Sequence, residues 1–151
     1  MAFMRNGARQ IALGTAGELE MYGLTLPSAA SKDPASIVCL PINRALKLLL
    51  SILESLWKLD REIQAKLLKV SPSTLALYRR GKSVPRRREQ LERIGDLLRI
   101  YTTLRVLLPR PEAADTWPTR ANTRFRPNPV AYMKRRGTKD VVRYLQATLA
   151  E

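Results

Sequence analysis

The spacing of apolar residues changes at Asn43. Before it, residues 1–43 follow neither the two-residue alternation of a strand nor the three-to-four-residue spacing of a helix, and four of the seven glycines fall there, at positions 7, 14, 17 and 23. Together with "LPSAASKDPAS" this composition predicts a loosely ordered extension with one short strand, Ile37 to Leu40. Beyond it, "RALKLLLSILESLWKL" sets Leu46, Leu49, Leu50, Leu53, Leu56 and Trp57 three and four residues apart. That pattern is a helix with one broad apolar face, and Asn43 is its expected N-cap.

Start and stop signals then divide the chain. In "DREIQAKLL", Asp60 is a cap and Ile63, Leu67 and Leu68 form the buried side of a short helix. In "KVSPSTLALYRRG", Ser71 caps a helix whose first position is Pro72, where a missing N–H costs nothing, and Gly81 stops it. The segment "VPRRREQLERIGDLLRIYTTLRVLL" opens with Pro85 and puts Leu91, Ile94, Leu98, Tyr101, Leu104 and Leu108 on one stripe of a long helix. Five of the ten prolines follow between Pro109 and Pro129, so no long helix can cross that region, which reads as a domain junction with an irregular loop. Two short helices close the chain: one capped by Asn128, begun by Pro129 and ended by Gly137, the other starting from Thr138 with Val141, Leu145 and Leu149 on one face. The expectation is an all-α protein with an extension over 1–43, a helix-turn-helix domain over 44–108 joined by its long helix to a small helical domain over 109–151.

Charge changes this picture from a fold to a partner. The chain carries 27 basic and 13 acidic residues, a formal charge of +14 with a pI near 10.7. The excess is uneven: residues 1–45 hold 4 basic and 3 acidic, 46–108 hold 14 and 6, and 109–151 hold 9 and 4. A polyanion is the partner such a balance suits. Other classes are disfavoured. With Cys39 as the single cysteine and no histidine, no intramolecular disulfide and no ordinary zinc ligand set is available. The usual general base is missing too, and no Gly-rich phosphate loop follows a strand, so neither an enzyme nor a cofactor is expected. No signal-peptide core is present, and the longest apolar stretch, Ala45 to Leu59, is broken by Lys47, Glu54 and Lys58. A soluble cytoplasmic protein is the expectation.

The two short helices that meet at "LKVS" have the spacing of a helix-turn-helix. Ala65 is the small residue where the helices cross, Val70 fills the turn, and Leu75 and Tyr78 anchor the second helix. Lys69 stands where Gly is frequent and would have to accept a left-handed backbone. On the open side of the second helix, Ser71, Ser73, Thr74, Leu77 and Arg80 are candidates for base contact, while Arg79, Lys82, Arg86, Arg87 and Arg88 are candidates for gripping phosphates. A solvated basic face is the competing reading. Trp57 and Trp117, which no basic and aromatic interleaving surrounds, read as core or interface anchors rather than stacking platforms.

The tail "WPTRANTRFRPNPVAYMKRRGTKDVVRYL" resembles the C-terminal toxin-binding domain of the Xre/MbcA/ParS antitoxins, which follows an Xre-like helix-turn-helix. The resemblance lies in Trp117, Asn122, Phe125, Pro129, Met133, Gly137, Val141 and Leu145, and with the upstream long helix it covers about residues 45–151. Where the family often has Gly ahead of the Pro-initiated helix, this chain has Arg126 or Pro127. The resemblance implies an antitoxin that dimerises, sequesters an NAD-consuming RES-domain toxin and binds its own operator DNA. It further implies that the last helix and the C-terminal residues occlude the toxin's active site, with Arg143, Tyr144 and residues 146–151, among them Leu149 and Glu151, as contacts, and Met133, Lys134 and Arg136 extending that surface. A stand-alone repressor with a dimerising tail is the alternative.

Overall fold

The computed structural model describes residues 2–5, 8–15 and 37–151. From Ile42 onward the chain is helical, as its patterning predicts. Seven α-helices follow one another: α1 (Ile42–Ser51), α2 (Arg61–Leu68), α3 (Pro72–Arg79), α4 (Arg88–Leu107), α5 (Pro111–Thr116), α6 (Pro129–Arg136) and α7 (Lys139–Ala150). Ahead of them, among the described residues, lie three strands, β1 (Ala2–Arg5), β2 (Ala8–Thr15) and β3 (Ile37–Pro41), paired antiparallel in the order β1-β2-β3. The strand expected at Ile37 to Leu40 is therefore present, and it is the edge of a sheet whose other two strands, β2 beside it and β1 beyond, the patterning did not indicate. Residues 1, 6–7 and 16–36 of the expected extension lie outside the described residues. Among the described residues, no helix is long and apolar enough to cross a membrane.

Because β3 runs straight into α1, the helix starts earlier than its side chains suggest. Pro41 occupies the N-cap position without a side-chain bond, and Asn43, the expected cap, is an exposed residue inside the first turn. The apolar face continues into a π-helical turn, Ile52–Leu56, closed by Trp57 N–H donating to the Ile52 carbonyl at 2.9 Å. Trp57 itself is buried, as a core anchor should be. Helix α4 differs from expectation in two ways. Pro85 is buried in the loop, and the helix begins three residues later, after Arg87 in an extended conformation. Its burial also exceeds one stripe, since Leu97 and Ile100 are as enclosed as Ile94 and Leu104. The reason is tertiary: α4 packs against α1, α5 and α7 and against the sheet, so few of its sides are left to water.

One contiguous core runs from Leu40 and α1 through α4 to Val141 and Leu145 of α7. Within the proline-rich stretch, Pro111 starts the short helix α5 at a position that needs no donor, and a 3₁₀ turn, Trp117–Thr119, follows it. Arg105 pairs with Asp115 at 3.0 Å and lies 5.2 Å from the centre of the Tyr101 ring, which ties α5 back onto α4. The loop before α6 is built on Asn122, whose side-chain oxygen accepts from the N–H groups of Arg124 (2.8 Å) and Phe125 (2.9 Å). Asn128 then caps α6 by accepting from Ala131 N–H at 2.8 Å. Gly137 ends it at φ 87°, ψ −177°, a combination open in practice only to glycine.

Candidate nucleic-acid interface

The turn between α2 and α3 is organised by local bonds. Asp60 accepts from Ile63 N–H at 2.8 Å to start α2, and Ser71 Oγ accepts from Thr74 N–H at 3.1 Å to start α3. Between them Lys69 adopts φ 54°, ψ 48°, the left-handed conformation foreseen for it. Its N–H donates to the Lys66 carbonyl at 3.2 Å and that of Val70 to the Ala65 carbonyl at 3.0 Å, the paired closure of a Schellman turn. A β-carbon in this region costs about 1–2 kcal/mol. Lys69→Gly is accordingly expected to stabilise the fold by about 0.5–1 kcal/mol, after the larger chain entropy of unfolded glycine is subtracted. A chemical denaturation midpoint that falls instead would refute the strain.

Buried Leu75 and Tyr78 hold α3 against the core, and burial pushes the Tyr78 phenol above its ordinary pKa. Arg79 acts on the same side, contrary to its expected role at phosphate. Its side chain is only 17% exposed and donates to Glu54 at 2.9 Å and to the side-chain oxygen of Gln64. Gln64, fully buried, passes this link on by donating to the Leu59 carbonyl at 2.8 Å. A guanidinium so engaged is a brace between α3 and the preceding helices. Neither Gln64 nor Glu54 stands out in the sequence, because each acquires its role only from Arg79's position in the fold.

Other predicted contacts lie where the spacing put them. Ser71, Ser73, Leu77 and Arg80 are exposed and Thr74 is half-buried. Ser71 Oγ is also 3.0 Å from Ser73 Oγ and donates to Thr74 Oγ1 at 2.9 Å, so three hydroxyls cluster over the first turn of α3. Leu77 is 39% exposed, an apolar contact poised among cations. Arg80, Lys82 and Arg87 are exposed and form no ion pair among the described residues. Arg86 is exposed as well. Arg88 pairs with Glu92 at 3.1 Å, but it is 90% exposed and such a surface pair, worth about 0.3–0.5 kcal/mol, yields easily to a phosphate. From Lys69 to Arg88 the chain has seven cations and no carboxylate.

The expected toxin surface is partly revised. Met133 is fully buried, because the inward side of α6 is its apolar side, so it supports the surface from beneath and cannot extend it. Lys134 is half-buried, while Arg136, Arg143, Leu149 and Glu151 are exposed. Phe125, Val141 and Leu145 are buried, as expected of structural motif residues. Phe125 meets three rings edge-on: Trp117 at 6.4 Å, Tyr132 at 4.9 Å and Tyr144 at 5.4 Å between centroids. Above Tyr144 lies the Arg124 guanidinium, 4.9 Å from the ring centre. Tyr132 OH donates to Asp140 at 2.6 Å, and Arg143 donates to the other oxygen of the same carboxylate. The Tyr132 bond, with Arg143, holds the Asp140 carboxyl below its usual pKa; the same bond raises that of the phenol. Arg124, Phe125, Tyr132, Asp140, Arg143 and Tyr144 thereby line a concavity of about 590 Å³. Arg124, Tyr132 and Asp140 come from three separate segments and carry no shared signal in the sequence.

No protein-family model matches this sequence, and neither a comparison with curated proteins nor one with solved structures finds a match.

Proposed function

We propose that this protein is a cytoplasmic, dimeric antitoxin of a type II toxin–antitoxin pair, which binds its own operator through α2 and α3 and neutralises a RES-domain toxin through its C-terminal region. The observation that carries the DNA-binding part is the α2–α3 unit itself: a left-handed turn, a Ser71-capped second helix, and an open face of Ser73, Leu77 and Arg80 bordered by the exposed side chains of Lys82 and Arg87, which form no ion pair among the described residues. On such a face Arg80 suits a guanine edge and Leu77 a thymine methyl, while Lys82, Arg86, Arg87 and Arg88 suit phosphates. A two-fold dimer would present two such helices to half-sites about one helical turn apart. The antitoxin part is supported by the resemblance of residues 117–145 and by the exposed end of α7, where Arg143, Leu149 and Glu151 are free of the core.

The test is co-expression with the product of the adjacent reading frame, together with binding to the upstream DNA. Rescue of growth and a sequence-specific DNA complex are the expected results. Specific DNA binding without rescue would replace this reading with that of a stand-alone repressor, and absence of both would end it.

A further inference from the structure

The end of α6 and the α2–α3 turn face each other across a cleft. We propose that this cleft seats a backbone phosphate of the bound duplex, with Arg136 of the C-terminal region acting beside Lys69 and Arg87; the proposal rests on the DNA-binding reading above. The three cations come from distant positions, yet they line one cavity of about 490 Å³. All three are exposed and none forms an ion pair among the described residues.

Buried bonds hold this arrangement in place. Arg93 Nη1 donates to the Leu67 carbonyl at 3.1 Å, fastening α4 to the end of α2 just before the turn. Asp96, almost fully buried on α4, accepts from Thr138 Oγ1 at 2.9 Å and pairs with Lys139 at 2.8 Å, which fixes the junction between α6 and α7 over the same helix. A β-carbon on Gly137 would stand 3.7 Å from the Arg93 guanidinium, so the backbone passes close to this brace. These bonds also settle the charge balance. Lys139 neutralises Asp96 and approaches Glu92 at 3.9 Å, and Arg88 pairs with Glu92. Glu89 is then the one carboxylate lining the cleft that no ion pair among the described residues neutralises, against four cations without an ion pair: the exposed Lys69, Arg87 and Arg136 and the half-buried Arg93. Like charges gathered around a concavity repel one another until an anion enters it, and a phosphate oxygen is the anion a duplex offers. The location suits a duplex too, because Lys69 lies two residues before Ser71, so the cleft adjoins the leading edge of the α3 face.

The experiment measures binding of the full-length chain to a short labelled duplex of mixed sequence over a series of salt concentrations. Arg136→Ala is expected to make the slope of log K against log salt less negative by about 0.9, and to weaken binding about eightfold at 0.1 M salt. Arg136→Lys should restore the slope, and Glu89→Gln should tighten binding. The control is Arg135→Ala, an equal loss of charge one residue away: Arg135 does not line the cleft and donates instead to the Arg126 carbonyl at 2.8 Å. Its slope should equal that of the unaltered protein. If Arg136→Ala leaves the slope unchanged, or if both alanine variants shift it equally, the phosphate seat is overturned even though Arg80→Ala with Lys82→Ala still weakens binding. If the unaltered protein binds no duplex at low salt, the seat and the DNA-binding reading fall together.

Discussion

On the proposed reading, replacing Arg80, Lys82 and Arg87 together with alanine is expected to weaken DNA binding by two to three orders of magnitude at 0.1 M salt and to flatten its salt dependence by about 1.8 in log-log slope. Lys82 and Arg87, assigned to phosphates, each release about 0.9 of a condensed counterion, which gives that slope and a loss of about 60-fold at 0.1 M; the lost guanine contact of Arg80 adds about 1 kcal/mol or more. All three side chains are exposed and without ion pairs among the described residues, so the fold should be unaffected and the melting temperature unchanged. Arg79→Ala would behave differently. That arginine braces α3 against Glu54 and Gln64, and its loss should appear first as instability. A triple variant with an unaltered slope would remove this face from the DNA contact surface.

Phe125→Ala is expected to destabilise the protein by about 3–5 kcal/mol, a fall in melting temperature of about 2–4 °C for each kcal/mol in a chain of this size. Phe125 is nearly fully buried, and Trp117, Tyr132 and Tyr144 all present their edges or faces to it. Removing the ring leaves a cavity and loses those geometrically favoured contacts together. The functional consequence follows from what rests on the cluster. Tyr132 and Tyr144 position Asp140 and Arg124, so the 590 Å³ concavity loses its walls, and on the proposed reading rescue from a co-expressed toxin should fail at temperatures where DNA binding persists. Thermal denaturation followed with paired rescue and DNA-binding assays would check both parts. A melting temperature within a degree of the original would show that the ring cluster is not an element of the core.

Features that depend on a few neighbouring residues were legible without coordinates. Asp60, Ser71 and Asn128 each cap a helix by accepting from the N–H three positions on, and a bond of that reach is written in the local sequence. Lys69 was marked in the same way as a residue in a conformation that suits glycine. The cap predicted at Asn43 shows the limit of such reasoning. An asparagine caps a helix only where the chain is free to turn into it, and here β3 had already delivered the backbone into α1 by Pro41.

Position along the chain thus specified six of the seven helices, α5 in the proline-rich stretch excepted, with their order, the left-handed turn and the concentration of positive charge, because periodicity, capping and composition act over a few residues. The fate of individual charges was decided elsewhere. Arg79 is a brace because the fold brings it to Glu54, 25 residues earlier in the chain, Met133 is enclosed because α6 turns its apolar side inward, and Arg136 joins Lys69 and Arg87 because Asp96 holds Thr138 from 42 residues away. A long side chain can reach any of several partners, and only the packing of the helices selects which of them comes within reach.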